Sequence, residues 1–269
     1  MELGITLRNM GPQSSRELLL ECARAAEDVG LDSVWVTDHI AIPPDDAEGS
    51  GGRYLDPLAT LAYLAGATER IGLGVGVLIL PYRPPLPTAK WVATVQELSG
   101  GRLRLGVGVG WMKPEFRALG VPRSRRGADS DAVLELLNRC FDAADDVVEE
   151  NGQPFLFLPR PARPPIFIGG APPHAFTRVI RYGDGWMPMS GDPDALRAPI
   201  AELRRMAQEA GRPVPEVATF GVLPSDPGEA RDRLAALESI GVTRFLLGVR
   251  YDDAASYRKS AETLAALRT

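Results

Sequence analysis

An apolar, β-branched stretch, SVWVTDHIAIPP (33–44), ends in the pair Asp38-His39 and is then stopped by two prolines. The chain contains only two histidines, so a histidine beside a carboxylate at this place is informative. The imidazole of His39 could donate or accept a proton near neutral pH. The pair could equally cap or anchor the turn before Pro43-Pro44, and its position alone does not separate these two interpretations.

Two other apolar stretches carry glycine at every second position. They are GLGVGVLIL, with Gly72, Gly74 and Gly76, and RLRLGVGVG, with Gly106, Gly108 and Gly110. Glycine weakens the interior of a strand, so its repeated use indicates close approach by a flat ligand or by another backbone. Tight packing in the interior is the alternative. Neither stretch is a GxGxxG motif that opens a helix, which excludes a dinucleotide fingerprint.

The segment PPIFIGGAPPHAF (164–176) predicts a strand that ends at Gly169-Gly170 and a helix that follows. Backbone amides at a glycine turn and a helix start can bind an anion. His174 in the first helical turn could contact a phosphate, although a solvated or capping role is commoner. Three basic residues of one loop, Arg123, Arg125 and Arg126, could bind an acidic ligand tail or could simply be solvated.

Eight strand-type segments alternate with eight helix-type segments along the chain, which indicates a parallel sheet with crossover helices. We predict strands at 2–7, 33–38, 72–80, 102–109, 165–169, 185–189, 216–223 and 243–249. We predict helices at 14–30, 57–69, 85–98, 128–150, 173–182, 193–210, 227–240 and 253–267. Eight such units in 269 residues favour one α/β domain over 1–269, a closed (β/α)8 TIM-type barrel, with a doubly wound open sheet as the alternative.

In such a barrel the active site forms at the carboxyl ends of the strands. Two long loops, 39–56 and 110–127, follow strands and should lie at this end, which we call the mouth. Asp38 and His39 would then face the mouth from the second strand. The segment 150–165 is expected to wrap around the outside of the barrel.

Composition and charge exclude several classes of protein. The formal net charge of −5 argues against nucleic-acid binding, and no apolar run is long enough for a membrane span. The first residues do not have the pattern of a signal peptide. Cys22 and Cys140 are expected to be buried free thiols, which favours a reducing, cytoplasmic location.

Lysine and histidine are too scarce for two common kinds of barrel chemistry. Schiff-base catalysis needs a lysine on an inner strand, and the lysines do not lie on a predicted strand. Two histidines are too few for the usual metal sites, so no metal is expected. The lysines are Lys90, Lys113 and Lys259.

Four segments together resemble the luciferase-like monooxygenase superfamily, and in particular its branch of probable coenzyme F420-dependent oxidoreductases. The segments are GLDSVWVTDHIAIP (30–43), YLDPLATLAYLAGATERIGLGVGVLILPYRPP (54–85), LSGGRLRLGVGVGWMKPEFRALGVP (98–122) and PPIFIGG…YGDGWMP (164–188). They occur in the family's order and at its spacing, and the resemblance covers almost the whole chain.

The resemblance implies a TIM-type barrel that binds a flavin or 5-deazaflavin at the mouth, with hydride transfer through the deazaflavin C5. It implies a non-prolyl cis peptide at Gly76-Val77 behind the ring and a cofactor phosphate site at Gly169-Gly170. It also implies cofactor contacts from the residues after the fourth strand, Gly108, Val109, Gly110 and Trp111. Homodimers are common in this superfamily.

For the Asp-His pair, the resemblance implies that His39 is the proton donor or acceptor, or polarises the substrate. It implies that Asp38 bonds near the deazaflavin ring. The superfamily's sugar-phosphate dehydrogenases have a carboxylate where this chain has Trp111, and their phosphate-binding lysines have no counterpart here. We therefore expect a small organic substrate in an apolar space lined by aromatic residues, which could include Trp111, Trp35, Tyr82 and Phe116, although Trp35 could belong to the core.

Three functions remain open at this point. The first is a coenzyme F420-dependent oxidoreductase, which the Asp38-His39 pair favours by resemblance. The second is a two-component monooxygenase that uses reduced FMN and oxygen. The third is a barrel that binds a flavin or deazaflavin without catalysis.

Overall fold

Ten strands occur in residues 1–268, which are the residues described by the structure, a computed structural model. They are β1 (Glu2–Thr6), β2 (Ser33–Val36), β3 (Gly72–Ile79), β4 (Leu103–Gly108), β5 (Val147–Glu150), β6 (Gln153–Leu156), β7 (Ile166–Gly169), β8 (Gly185–Met187), β9 (Glu216–Gly221) and β10 (Arg244–Leu247). Eight of them close into a parallel barrel in the order β1-β2-β3-β4-β7-β8-β9-β10, with β10 paired to β1.

Helices connect successive barrel strands and cover the outside. They are α1 (Arg16–Asp28), α2 (Pro57–Ala65), α3 (Pro85–Leu98), α4 (Lys113–Ala118), α5 (Arg126–Asp142), α6 (His174–Tyr182), α7 (Pro193–Glu209), α8 (Pro227–Ile240) and α9 (Ala254–Ala265). The predicted closed barrel is thus confirmed over the open sheet, and each predicted barrel strand lies within two residues of the observed one at either end.

One predicted helix, 128–150, is wrong at its carboxyl end. Helix α5 stops at Asp142, and β5 and β6 form an antiparallel hairpin through Asn151-Gly152, both with positive φ. Asn-Gly is a strong hairpin signal because both residues tolerate that conformation. The segment 150–165 also does more than wrap the outside, since the Phe157 side chain is fully buried.

The two long loops at the mouth contain regular structure. Loop 110–127 holds helix α4 and a 3₁₀ turn, Arg123–Arg125. Loop 39–56 holds a 3₁₀ turn, Pro44–Asp46, and is tied to the end of β1 by an antiparallel bridge between Met10 and Tyr54. Both loops are therefore positioned by hydrogen bonds and not only by their ends.

The barrel interior is filled by large side chains that come from the strands alone. This cluster consists of Trp35, Phe167, Met187, Ala218 and Leu246, with Val77 and Phe220 against it. Trp35 fits because Gly74 on β3 has no side chain: a Cβ built there would lie 2.2 Å from the indole. For Gly74, close packing inside the barrel is therefore the explanation of the glycine.

Both cysteines are buried free thiols, as expected. Burial raises the pKa of Cys22 to about 12 and that of Cys140 to about 11, so neither thiol is reactive near neutral pH. Within residues 1–268, no helix is both long and apolar enough to span a bilayer. The same residues contain no group of side chains arranged to bind a metal ion. Homodimer formation stays a prediction.

We expect Gly74→Ala to destabilise the barrel by about 1–3 kcal/mol, the usual cost of overpacking, because the indole of Trp35 cannot move within a closed interior. Gly66→Ala is the matched control, since a Cβ at this helix end has no neighbour nearer than 3.8 Å. Urea unfolding measures both. Equal midpoints for Gly74→Ala and Gly66→Ala would show that the interior is less tightly packed than described.

Candidate active site

Asp38, directly after β2, is held in a buried ion pair. The Arg83 guanidinium donates to both carboxylate oxygens, at 2.6 and 2.8 Å, and the Ile79 amide donates to one of them at 2.8 Å. Arg83 also donates to Asp56 at 2.8 Å, the residue that caps α2. Burial raises the pKa of the Asp38 carboxyl, while Arg83 and the Ile79 amide oppose that rise. The network ties β2, β3 and α2 together beneath the mouth.

The Asp38 carboxylate is fully buried and its hydrogen bonds go to protein groups. This ion pair was not part of the expectation that Asp38 bonds near a cofactor ring, because the sequence pattern did not pair Asp38 with Arg83, 45 residues further along the chain. Contact between a cofactor and Asp38 stays a prediction.

His39 is paired instead with a distant carboxylate, Glu115 in the first turn of α4. The imidazole Nδ1 lies 2.8 Å from Glu115 Oε2. The same carboxylate accepts hydrogen bonds from the Ile40 and Ala41 amides, at 2.7 and 3.0 Å, and from the Tyr82 hydroxyl at 2.9 Å. Sequence reasoning missed Glu115, which lies 76 residues from His39 in a segment that we predicted to be a loop.

Glu115 is ionised despite its burial. Burial by itself raises the pKa of its carboxyl, but hydrogen bonds from the two amides and the imidazole outweigh this effect and lower the pKa below its usual value. Burial and the adjacent carboxylate raise the pKa of the Tyr82 hydroxyl, so Tyr82 remains a donor. A negative charge therefore lies directly behind the imidazole of His39.

Aromatic rings flank the imidazole where it reaches the mouth. The ring centroid of His39 lies 5.1 Å from that of Tyr54 and 6.3 Å from that of Trp111, both edge to face. The His39 side chain is 17% exposed, and its Nε2 has no hydrogen-bond partner within residues 1–268. This nitrogen is thus available to a ligand.

The strand residues at the base of the mouth, which we call the floor, are glycine and valine. The Gly76-Val77 peptide bond is cis, as the resemblance implied. The Val77 side chain lies between Gly108 and Gly169, where an added Cβ would come within 2.6 and 2.9 Å of it. The floor is partly exposed at Val77 and Gly169, and also at the neighbouring predicted cofactor residues Gly76, Val109, Gly110 and Gly170.

Large apolar side chains stand exposed around this floor. Ile40, Trp111, Met189 and Val222 follow β2, β4, β8 and β9 respectively, and Trp111 and Met189 are 65% and 90% exposed. Such a set at one end of a barrel marks a binding surface more often than chance exposure does. Of the aromatic residues expected to line the substrate space, Trp111 is exposed, whereas Trp35, Tyr82 and Phe116 are buried.

The turn after β7 offers fewer anion-binding groups than its glycines indicated. The Gly170 amide donates to the Met187 carbonyl at 3.4 Å, and Pro172 and Pro173 have no amide hydrogen. Within residues 1–268, the amides of Ala171 and His174 are left without an acceptor. Ala171 and His174 therefore each have a free backbone donor in the described part of the chain, and anion binding at this turn stays a prediction.

The arginines of loop 110–127 are partly used within the loop itself. Arg123 donates to the Trp111 carbonyl at 3.3 Å, Arg125 pairs with Asp129 at 3.2 Å, and Arg126 donates to the Arg123 carbonyl at 3.1 Å. These contacts hold the segment that carries Trp111 in place. Binding of an acidic ligand tail by these arginines stays a prediction.

A cavity of about 790 Å³ opens at the opposite end of the barrel beside Met1 and Gly241. Charged groups around it pair with one another, since the amino terminus contacts Glu238 and Arg268 contacts Asp32. We place the candidate site at the mouth, because the unpaired imidazole nitrogen and the exposed apolar groups are there.

The sequence matches the family described as luciferase-like monooxygenase over residues 1–268. The chain belongs to this family. A protein of Mycobacterium tuberculosis (strain ATCC 25618 / H37Rv) that is described as uncharacterized is 32% identical over 247 residues, 85% of this chain and 83% of that protein. The F420-dependent hydroxymycolic acid dehydrogenase of the same organism is 30% identical over 246 residues, 88% of this chain and 65% of that protein.

Solved structures confirm the luciferase-like barrel. The monooxygenase RslO1 from Streptomyces bottropensis has a TM-score of 0.82 at 21% identity over 99% of this chain and 98% of that one. An F420-dependent secondary alcohol dehydrogenase with an F420-acetone adduct has a TM-score of 0.79 at 18% identity, over 100% of this chain and 99% of that one. The FMN-bound oxygenating component of 3,6-diketocamphane monooxygenase from Pseudomonas putida has a TM-score of 0.78 at 16% identity, over 98% of this chain and 97% of that one.

In this luciferase-like barrel we expect Arg83→Met to lower the free energy of unfolding by about 3–5 kcal/mol, because the Asp38 carboxylate would be left buried without its partner. Arg205→Met is the control: Arg205 pairs with Glu202 at 2.7 Å, but on the surface, where such pairs contribute little. Chemical unfolding at neutral pH measures both. If the two variants unfold at the same denaturant concentration, the Asp38 ion pair does not hold the mouth together.

Proposed function

We propose that this chain is a coenzyme F420-dependent oxidoreductase that acts on a small organic substrate at the barrel mouth. The observation that carries the proposal is His39: its Nε2 has no hydrogen-bond partner within residues 1–268, and its ring lies beside the exposed Trp111, with 6.3 Å between the ring centroids. The dehydrogenase relative, 30% identical, supports the choice of cofactor. The coenzyme supplies a ring carbon, C5, that accepts or donates a hydride.

The residues of the mouth fit a flat heteroaromatic ring. At two floor positions, Gly108 and Gly169, there is no side chain, and the space that a Cβ would need is already taken by Val77. The floor is therefore closed from below and free of projecting groups above. A planar ring that covers it removes the exposed apolar surface of Trp111 and Met189 from water, which is favourable.

The remaining site residues would bind, orient and move a proton. The backbone amides of Ala171 and His174 would hold an anionic group of the cofactor beside the Gly169-Gly170 turn. His39 would donate a proton to the substrate or accept one from it through Nε2. Asp38 would act through Arg83, by holding the strand end that carries His39.

An FMN-dependent monooxygenase is the second candidate, because structural neighbours of similar TM-score include an FMN-bound monooxygenase. The same apolar floor would accept an isoalloxazine ring. A barrel that binds one of these cofactors without catalysis is the third. Binding preference separates the first two candidates, and turnover separates both from the third.

We expect coenzyme F420 to bind with a micromolar or lower Kd and FMN to bind much more weakly. Isothermal titration calorimetry measures both, and it does not depend on any tryptophan as a reporter. Trp111→Ala should weaken coenzyme F420 binding about tenfold, as loss of one stacked aromatic side chain does. Trp91→Ala is the control, because Trp91 is exposed on α3. A preference for FMN would support the monooxygenase, and binding of neither would refute both enzymes.

We expect His39→Ala to lower turnover by about 10²–10⁴-fold while coenzyme F420 still binds, because a general acid or base would be lost. His174→Ala, which removes the other histidine, should leave turnover within a few-fold of the wild type. Steady-state rates with a substrate found by screening small alcohols, ketones and activated alkenes measure this. An unchanged rate in His39→Ala would leave His39 a scaffold residue, and no turnover in the screen would favour the non-catalytic barrel.

A further inference from the structure

The carboxylate of Glu115 has four hydrogen-bonding partners. Oε1 accepts from the two amides of Ile40 and Ala41, Oε2 accepts from the Tyr82 hydroxyl, and the Nδ1 atom of His39 lies 2.8 Å from Oε2. The side chain is completely buried, so water does not replace a missing donor. Each oxygen thus has a defined pair of partners.

This arrangement determines which nitrogen of His39 carries the proton. An ionised carboxylate only accepts hydrogen bonds, so the nitrogen that faces it, Nδ1, must be a donor. In the neutral imidazole the other nitrogen, Nε2, is then an acceptor. A carboxylate that holds a histidine tautomer in this way also stabilises the imidazolium that forms when Nε2 takes up a proton.

We propose that Glu115 is the positioning residue of the site: through its hydrogen bond to Nδ1 it holds His39 as the Nδ1–H tautomer with Nε2 ready to accept a proton from a ligand O–H or N–H group. This inference rests on the proposed function, in which His39 exchanges a proton with the substrate. Glu115 itself does not reach the mouth and acts only through the imidazole.

The alternative is that Glu115 only fastens the loop after β2. Its two bonds to the Ile40 and Ala41 amides would be sufficient for that role and would not require any tautomer. The two roles can be distinguished at Oε2, because only the positioning role requires this oxygen to accept a hydrogen bond from Nδ1.

The tautomer can be measured without any cofactor. The full chain is labelled with ¹⁵N-histidine, and long-range ¹H–¹⁵N spectra are recorded at increasing pH until the histidine signals no longer change, so that both rings are neutral. Only two histidines contribute, and His174→Asn assigns them. We expect His39 as the Nδ1–H tautomer, whereas a free imidazole side chain prefers Nε2–H. The Nε2–H tautomer in the wild type would overturn the inference.

Glu115→Gln should reverse the tautomer. The single amide oxygen of the glutamine must stay with the Ile40 and Ala41 donors, which puts its NH₂ group opposite Nδ1. Nδ1 must then accept, so the proton moves to Nε2. Tyr82→Phe is the matched control: it removes another donor to Oε2 but keeps the carboxylate, and we expect the Nδ1–H tautomer to remain. Retention of Nδ1–H in a folded Glu115→Gln variant would refute the role of Glu115.

Turnover supplies the second readout. We expect Glu115→Gln to lower kcat by about 10²–10⁴-fold with a small change in KM and an altered pH profile, because the imidazole would present a proton where it should accept one. Near-UV circular dichroism checks that the variant is folded, and if it is not, the wild-type and Tyr82→Phe spectra still decide the tautomer. A chain that fails to bind coenzyme F420 refutes the proposed function, whereas a chain that binds it but keeps the tautomer in Glu115→Gln refutes only this inference.

Discussion

A buried negative charge must be surrounded by donors, and at Glu115 this requirement organises the part of the mouth around His39. Removal of a carboxylate from water costs several kcal/mol unless hydrogen bonds replace the lost hydration. Here the replacement comes from the segment after β2 and from Tyr82 after β3, both of which are drawn onto α4 after β4. Three neighbouring connections are therefore held by one side chain, and the imidazole of His39 is held with them.

The Asp-His pair at the end of β2 is split between two buried networks. Successive side chains of an extended chain point to opposite sides, so Asp38 and His39 cannot share a partner. Asp38 faces Arg83 and the strand end at Ile79, whereas His39 faces Glu115 and the mouth. The carboxylate next to the histidine in the sequence is thus a structural anchor, and the carboxylate that contacts the histidine comes from another strand–helix unit.

The floor and the rim of the mouth differ in how tightly their residues are packed. The floor is made of β-strand backbone and of Val77 packed between two glycines, so it is closed and leaves no projecting group. The rim is made of side chains on connections, with Met189 almost fully exposed. In the proposed function, the packed floor would lie against the cofactor ring and the exposed apolar rim would contact the substrate. An F420-dependent alcohol dehydrogenase and an FMN-bound monooxygenase both have this barrel, so the fold by itself does not choose between the two cofactors.

Hydrophobic periodicity and helix-stop residues are local signals, and they were enough to predict the alternation of strands and helices, the barrel and the end at which His39 lies. The Asn151-Gly152 hairpin was also a local signal, although the helical periodicity before it concealed this feature. Which groups meet follows from the packing of the whole chain: Arg83 with Asp38, Glu115 with His39, and Trp35 with Gly74. These pairs are separated by 39 to 76 positions and depend on strand register and on the closure of the barrel. No local pattern encodes them, because the energy of a buried ion pair or of a filled cavity belongs to the packed chain and not to either residue alone.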